Sequence, residues 1–202
     1  LYVQLTRERS VEFAAFSITF LSVGWTTGSF IFSRLLSKWR ESAVILLGAS
    51  LSVPSLATTG LLVAREQSLA LILGTFVFVG LSIGLTSTAA MTLLQAASDE
   101  AEMGRVNAAH QFVRNLSITL AVALGGAVIL SVVEVRVGDV ETVRGVLAGV
   151  ETSVGPATMD AVGEGLAWAH LPSLAAALTG LFVAISLIRR ENAHSSLERS
   201  NQ

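Results

Sequence analysis

The sequence predicts an all-α membrane protein with about five transmembrane helices, and three observations support this prediction. Of its 202 residues, 52% are hydrophobic and only 14% are charged, whereas soluble domains carry roughly 25% charge. The mean hydropathy is +0.67. The apolar residues form long runs of about 20 residues, the length that crosses about 30 Å of hydrocarbon as a helix. Lipid offers no partner to an unpaired backbone group, so these runs are expected to be helices.

Composition also excludes several classes of function. A net charge of −2 argues against a nucleic-acid partner, which would require a basic surface. The chain has no cysteine, so it has neither a thiolate nucleophile nor a thiolate metal site. Its three histidines are scattered and lack the spacing of metal ligands. With no phosphate-binding loop either, we expect no enzyme activity, no cofactor and no metal.

The apolar runs divide the chain into elements in order. The predicted spans cover residues 11–33, 43–63, 69–93, 106–133 and 166–188. The chain starts at Leu1 without a signal peptide, so residues 1–10 are predicted to be the end of a preceding helix and an external loop of a longer protein. Residues 11–133 hold four transmembrane helices joined by short loops. Residues 166–188 form the last transmembrane helix, and residues 189–202 form a cytoplasmic tail that is disordered from residue 192.

Residues 134–165 are long for a membrane connector. Turn-forming pairs stand at Gly138–Asp139 and Gly155–Pro156, and the segment carries six acidic residues. The prediction is an external loop or hairpin. An amphipathic helix and a disordered linker both remain open, although the stretch from Val146 to Val150 is more apolar than most linkers.

The cationic residues orient the helices. If the five spans alternate in direction, seven cations lie on one side and five on the other, not counting Arg114 within a span. The larger group contains Arg34, Lys38, Arg40, Arg105, Arg189, Arg190 and Arg199. The positive-inside rule makes this side cytoplasmic and places the C-terminus there. Trp39 and Trp168 fall at predicted boundaries, where aromatic residues collect in membrane proteins.

Glycines at helical spacing predict close helix packing. Gly24 and Gly28 are four residues apart, as are Gly80 and Gly84, and Gly125 extends a face of small residues in the fourth span. Small faces let two helix backbones approach closely in lipid. Static packing and the sliding of helices in a transporter are both compatible with this pattern.

A polar stripe enters the fourth span. It consists of Asn107, His110, Gln111, Arg114, Asn115 and Ser117. Arg114 lies nine residues after Arg105, or about 13 Å along a helix, a depth at which a charge facing lipid is costly. Arg114 is therefore expected to face protein or a water-filled cavity, or to extend back to the membrane surface. No acidic residue falls in the middle of a predicted span, so a carboxylate proton relay is expected to lie elsewhere.

The loop after the first span resembles a repeated loop motif of the major facilitator superfamily. The motif combines a helix glycine with loop cations, here Gly28, Arg34, Lys38 and Arg40. Ser33 stands where that family usually has an acidic residue or a glycine, which weakens the charge-relay version of the motif.

The fourth span resembles the eleventh helix of that superfamily's fourteen-span drug:proton antiporters. Those sequences often read Gly-x-Ala-x-x-x-x-Gln-x-x-Arg-x-x-Gly-x-x-x-Gly, and Gly104, Gln111 and Arg114 fall at the spacing of this pattern. Ser117 stands where a glycine is common. The resemblance covers nearly the whole chain, as the C-terminal half of such a transporter without its first helix.

The resemblance implies a secondary transporter that exports amphipathic or cationic small molecules by alternating access, coupled to protons, in the bacterial inner membrane. Gln111, Arg114 and Asn115 would line the substrate path or gate. A cytoplasmic latch would consist of Gly28, Arg34, Lys38 and Arg40. The implied partners are the lipid bilayer, the N-terminal half of the transporter, the substrate and protons, and the chain alone is expected to be inactive. A standalone membrane scaffold and an importer of the same fold remain alternatives.

Overall fold

The computed structural model describes residues 11–138, 140–147 and 155–200, and all their regular structure is helical. The helices are α1 (Val11–Leu35), α2 (Glu41–Ala64), α3 (Leu69–Ala96), α4 (Met103–Arg136), α5 (Val140–Leu147), α6 (Pro156–Trp168) and α7 (His170–Ser200), with a short 3₁₀ turn at Glu100–Glu102 before α4. The predicted all-α class is confirmed. The end of a preceding helix predicted for residues 1–10 lies outside the described residues.

Five helical stretches are long and apolar enough to cross a membrane. They are Ala15–Leu35, Glu41–Ala64, Leu69–Ala96, Glu100–Arg136 and Pro156–Ala193. The first four coincide with the first four predicted spans. These stretches are those of a multi-pass membrane protein.

The last part of the chain differs from the prediction. The predicted fifth span begins within α6, which ends at Trp168, and α7 starts two residues later at His170. The tail predicted to be disordered is helical through Ser200. Good helix formers such as Arg189 and Arg190 favour this extension. A contact between Glu191 and the α1–α2 loop also anchors this part of α7.

The long connector is helical where the structure describes it, which agrees with the helix left open by the sequence and not with a hairpin. Both predicted turn sites mark helix boundaries. Gly138 follows the end of α4 with a φ of +73°, a conformation that glycine adopts without steric cost. Gly155 caps α6 and Pro156 is its first residue, where the missing N–H of proline is harmless.

Helix α3 lies between α1 and α2 and packs against both along its length. The α1–α3 contact is formed by four glycines, Gly24, Gly28, Gly80 and Gly84. A Cβ added to any of them would overlap a backbone carbonyl oxygen of the other helix. We call this contact the glycine seam. One turn beyond it, the hydroxyls of Ser29 and Thr88 form a hydrogen bond of 3.0 Å.

The contact between α2 and α3 uses small and hydroxyl-bearing residues. Thr59 donates a hydrogen bond of 2.8 Å to the Thr75 hydroxyl. A Cβ at Gly48 would lie 3.0 Å from the carbonyl oxygen of Ser82. The three helices α1, α2 and α3 therefore form a closely packed unit.

Helix α4 packs mainly through its C-terminal half. Ile129 and Val133 of α4 form a buried cluster with Val143 of α5 and with Ala161 and Val162 of α6. At the same contact, a Cβ added to Gly165 of α6 would lie 2.9 Å from the Cα of Ile129. The connector helices thus form a cap on one end of α4.

Helix α7 lies antiparallel along α2. At one end, a Cβ at Gly60 would lie 3.1 Å from the Cβ of His170. At the other end, Glu191 accepts a hydrogen bond of 2.6 Å from buried Ser42 and forms an ion pair with Arg40 at 3.3 Å. The α1–α2 loop and the end of α7 therefore share one end of the molecule, as the predicted alternation of spans requires.

The part of α4 before Ile129 leaves much of its apolar surface uncovered. Phe112 is 67% exposed and Val122 is 72% exposed. Gly125 also faces open space, with nothing within 4 Å of an added Cβ. The packing role predicted for Gly125 therefore has no counterpart among the described residues, because no described helix covers that face of α4.

Candidate functional site

A cavity of about 690 Å³ lies between the middle parts of α1, α2 and α3 and the N-terminal parts of α4 and α7. Its lining comes from α1, α2, α3, α4 and α7 and is mostly apolar or hydroxyl-bearing. The residues are Leu21, Trp25, Ala49, Ser52, Leu56, Ser82, Ile83, Thr86, Ser87, Ala90, His110, Arg114, Ser117, Ile118, Ser173, Ala177 and Gly180. An apolar hollow with a few convergent polar groups is the usual form of a small-molecule site.

Arg114 carries the formal charge of this cavity. Its guanidinium carbon lies 4.6 Å from the centre of the Trp25 ring, within the range of a cation–π interaction. Arg114 is eleven residues into α4, about 17 Å along its axis. The sequence left three placements open for this charge: against protein, in a cavity, or at the membrane surface. In the structure the charge faces both protein and a cavity.

The glycine seam positions Trp25. A Cβ on Gly84 would overlap the carbonyl oxygen of Trp25, and a Cβ on Gly80 would lie 2.9 Å from its backbone nitrogen. The backbone of Trp25 is thus fixed against α3, while its ring reaches the cavity and Arg114. This close helix contact therefore determines where the aromatic face of the site lies.

Serine and threonine hydroxyls supply the other polar groups. Ser52, Ser82 and Ser117 each donate a 2.8 Å hydrogen bond to a carbonyl of their own helix, which leaves their oxygens able to accept another. The side-chain hydroxyl of Ser87 makes no hydrogen bond to any described residue, so it can donate to a group that enters the cavity. The side-chain hydroxyl of Thr86 packs against Gly48 of α2.

No acidic residue lines the cavity. The described acidic residues lie near helix ends, in connectors or in the cap helices α5 and α6. The only other ionisable lining group is His110, one turn before Arg114 on α4, and an imidazole is either neutral or positive. The site is therefore neutral to positive among the described residues.

The three residues predicted to line a substrate path separate in the structure. Arg114 faces the cavity, whereas Gln111 and Asn115 are exposed and do not line it. Residues one apart on a helix differ by about 100° in direction, which turns Asn115 away from the face that Arg114 occupies. His110 and Ser117 of the same polar stripe do line the cavity.

The predicted latch residues also separate. Gly28 lies in the glycine seam, and Arg34 places its guanidinium over Phe30 of its own helix, 5.0 Å from the ring centre. Lys38 is exposed and has no ion-pair partner among the described residues. Only Arg40 reaches an acid of another helix, Glu191. We call the group of Arg40, Ser42 and Glu191 the α7 clasp.

Sequence reasoning missed two important residues, Trp25 and Glu191. Trp25 lies in the middle of an apolar span, whereas membrane tryptophans usually stand at the interfaces, and this unusual depth was the available signal. Glu191 follows directly after Arg189 and Arg190. A lone acid at the cationic end of a span is a candidate partner for a loop arginine.

Another cavity, of about 780 Å³, lies between α4, α6 and the start of α7. Its two charged residues already satisfy each other, since Arg136 donates two hydrogen bonds, of 2.9 and 2.7 Å, to Glu164. The smaller cavity around Arg114 is therefore the stronger candidate site. Within the described residues, no three histidine, aspartate or glutamate side chains are grouped to hold a metal ion.

Comparisons of the chain with family models, with curated proteins and with solved structures gave no match.

Proposed function

We propose that this chain is one helical bundle of a secondary active transporter of the major facilitator type, which exports amphipathic small molecules in exchange for protons by alternating access. The proposal starts from the resemblance of the loop after α1 and of α4 to that superfamily. It is supported by a cavity in the middle of apolar helices, the depth at which transporters of this kind bind their substrates.

The single observation that carries the proposal is the position of Arg114. An arginine within a membrane helix is costly unless it serves a site or a pathway, and this one faces a cavity of about 690 Å³ instead of a carboxylate. A scaffold that only holds its helices together has no use for an unneutralised charge at this depth. A transporter does, because the charge selects and orients a solute.

The uncovered side of α4 fits the second part of the proposal, a partner bundle. Phe112 and Val122 are among its most exposed apolar residues. In a two-bundle transporter the central pathway lies between the bundles and each supplies one wall. We propose that the N-terminal bundle of the same transporter faces α4 and carries the proton-binding carboxylate, since no described acid lines the cavity.

The proposed location is the bacterial inner membrane, with the cationic loops in the cytoplasm. Arg34 lies in the last turn of α1, Lys38 and Arg40 follow that helix, and Arg105 lies at the start of α4. The α7 clasp ties the end of α7 to the same end of the molecule. By the positive-inside rule this end, with the C-terminus, is cytoplasmic.

The test is export from energised bacteria that express the complete reading frame encoding this chain. Cells are loaded with an anionic fluorescein-type dye or with a cationic rhodamine-type dye, and retained fluorescence is followed with and without an uncoupler. Expressing cells are expected to lose at least one dye faster than control cells, and only while the proton gradient is intact. Equal retention of both dyes in expressing and control cells would contradict the proposal.

Replacement of Arg114 by alanine tests the site itself. We expect Arg114→Ala to slow export by about tenfold or more, the cost of one charge-assisted contact, while its abundance in the membrane stays within about twofold of the unmodified protein. Arg105→Ala is the matched control on the same helix, because Arg105 is exposed and, among the described residues, forms its ion pair with nearby Glu102 alone. If export and abundance fall by the same factor, Arg114 has a structural role and no separate role in transport.

A further inference from the structure

We infer that the cavity is a binding site for the anionic group of an amphipathic solute, such as an aryl or alkyl carboxylate, sulfonate or phosphate. The Arg114 guanidinium would bind the anion and Trp25 would contact its apolar body. Only the physiological role of this binding site rests on the proposed transport function. The binding site itself consists of residues of this chain. The inference narrows the substrate class, since the family resemblance alone implies amphipathic or cationic molecules.

The first step in the argument is the unused hydrogen-bonding capacity of Arg114. Its guanidinium carbon lies over the face of Trp25, 4.6 Å from the ring centre, and a contact with the ring face does not use up the N–H groups of the guanidinium. No described residue accepts a hydrogen bond from them. The planar fork of arginine matches carboxylate, sulfonate and phosphate oxygens, which it binds through two parallel hydrogen bonds.

The second step is the charge of the surroundings. No acid lines the cavity, and His110 adds either no charge or a second positive one. A cationic solute would meet Arg114 in a medium less polar than water, where like charges repel strongly. An anionic solute would neutralise the arginine at the depth where an unpaired charge is most costly.

The third step is the shape of the lining. Ser87 of α3 lines the cavity, and its hydroxyl bonds to no described residue. It can donate to an oxygen of an anion that Arg114 holds. The hydroxyl of the neighbouring Thr86 packs against Gly48 of α2. The rest of the wall, including Leu21, Leu56 and Ile83, is apolar. Such a wall suits an apolar body attached to the charged group.

The experiment measures contact with Trp25 directly. The chain carries three tryptophans, so Trp39→Phe and Trp168→Phe together leave Trp25 as the single fluorophore. This chain is placed in phosphatidylcholine nanodiscs and titrated with 4-bromobenzenesulfonate or with (4-bromobenzyl)trimethylammonium. The two probes share a brominated ring that quenches tryptophan on contact and differ in the sign of their charge. A chain that retains only Trp39, an exposed tryptophan, reports non-specific partitioning.

We expect the half-saturating concentration for quenching of Trp25 to be at least about tenfold lower for the sulfonate than for the ammonium probe. A charge-assisted hydrogen bond from Arg114 to the sulfonate accounts for a difference of this size. Arg114→Gln should remove this difference, and Arg114→Lys, which keeps the charge, should retain part of it. Arg105→Gln should change neither titration. Helical circular dichroism and monodisperse elution establish that each variant is folded.

Three outcomes would overturn the inference: equal half-saturation by the two probes, tighter binding of the ammonium, or a sulfonate preference that survives in folded Arg114→Gln. If that variant does not fold, the comparison of the two probes in the unmodified cavity and in Arg114→Lys decides. Sulfonate binding without export would support this site and contradict the proposed function. Export of the cationic dye alone, independent of Arg114, would support export and contradict this site.

The anion could be a free solute or the headgroup of an anionic lipid, and both have the same chemistry. Repeating the titration in nanodiscs that contain phosphatidylglycerol separates the two sources. Unchanged sulfonate binding assigns the site to a solute. A rise in the half-saturating concentration with phosphatidylglycerol content assigns it to the lipid headgroup, which also supports an anion site at Arg114.

Discussion

The α1–α2–α3 unit and the part of α4 before Ile129 are both apolar and both contain glycines, but they are packed in opposite ways. In the first, a single methyl group on Gly80 or Gly84 would overlap the neighbouring backbone. In the second, Gly125 and Gly126 have nothing within 4 Å of an added Cβ. A helix face made of small residues therefore allows a close contact but does not ensure one. Whether a second helix packs against that face depends on the rest of the fold.

The candidate site lies across the boundary between these two regions. Trp25 belongs to the closely packed unit, and Arg114 belongs to the part of α4 that has few neighbours. The cavity therefore has one wall whose position is fixed by backbone contact and one wall that a small movement of α4 would displace. Three pairs of substitutions compare the stability contributed by a specific contact with that at a matched position that lacks one.

The largest effect is expected in the glycine seam, from Gly80→Ala. The added methyl group would overlap the carbonyl oxygen of Leu21, so α1 and α3 must separate. We expect the free energy of unfolding in mixed micelles to fall by about 2–3 kcal/mol, as for other overpacked contacts. Because Trp25 lies in the same contact, quenching of its fluorescence should change as well.

Gly74→Ala is the matched control on the same helix, since Gly74 has open space around it. Alanine favours helices more than glycine does, so this variant should be as stable as the unmodified chain within about 0.5 kcal/mol. Similar destabilisation by the two substitutions would mean that α3 has no specific contact at Gly80.

An intermediate effect is expected where the connector cap meets α4, from Gly165→Ala. Its Cβ would lie 2.9 Å from the Cα of Ile129, which displaces α6 from the C-terminal half of α4. We expect a loss of about 1–2 kcal/mol in the free energy of unfolding. Gly126→Ala, nearly one turn from Ile129 on α4, should be neutral because its Cβ meets nothing. A neutral Gly165→Ala would show that the cap does not hold α4.

The smallest effect is expected in the α7 clasp, from Glu191→Gln. The change removes the ion pair with Arg40 and weakens the hydrogen bond from Ser42. Since Arg40 is largely exposed, the expected loss is at most about 1 kcal/mol, measured by thermal unfolding at low and high salt. Glu102→Gln, which breaks an exposed ion pair, should lose about 0.3 kcal/mol or less. An equal loss in both variants would show that burial of Ser42 adds nothing to the clasp.

Much of the fold was predictable because lipid imposes simple rules on sequence. Apolar runs located the first four membrane helices, and the four-residue spacing of Gly24, Gly28, Gly80 and Gly84 identified the faces that meet in the seam. The break before His170 was not predictable from hydropathy, because both α6 and α7 are apolar at their junction. The helical form of the tail depends partly on a long-range contact of Glu191, which no local pattern encodes.

The site was only partly predictable from the sequence. The depth of Arg114 indicated a cavity or a protein partner, since lipid would not accept the charge. Its neighbours Gln111 and Asn115 carry equally polar side chains, and only the position of α4 relative to α1 shows that they point elsewhere. The aromatic partner, Trp25, comes from a distant part of the chain and had no local signal beyond its depth in the span.

The glycine seam also has a consequence for how the protein is made. Helix α1 packs chiefly against α3. Helix α2, however, follows α1 in the chain and leaves the ribosome before α3 does. During synthesis, the glycine-lined face of α1 must therefore wait beside the insertion machinery or in lipid until α3 arrives. The order of assembly is consequently different from the order of translation, and the backbone of Trp25 reaches its final position only after α3 has entered the bilayer.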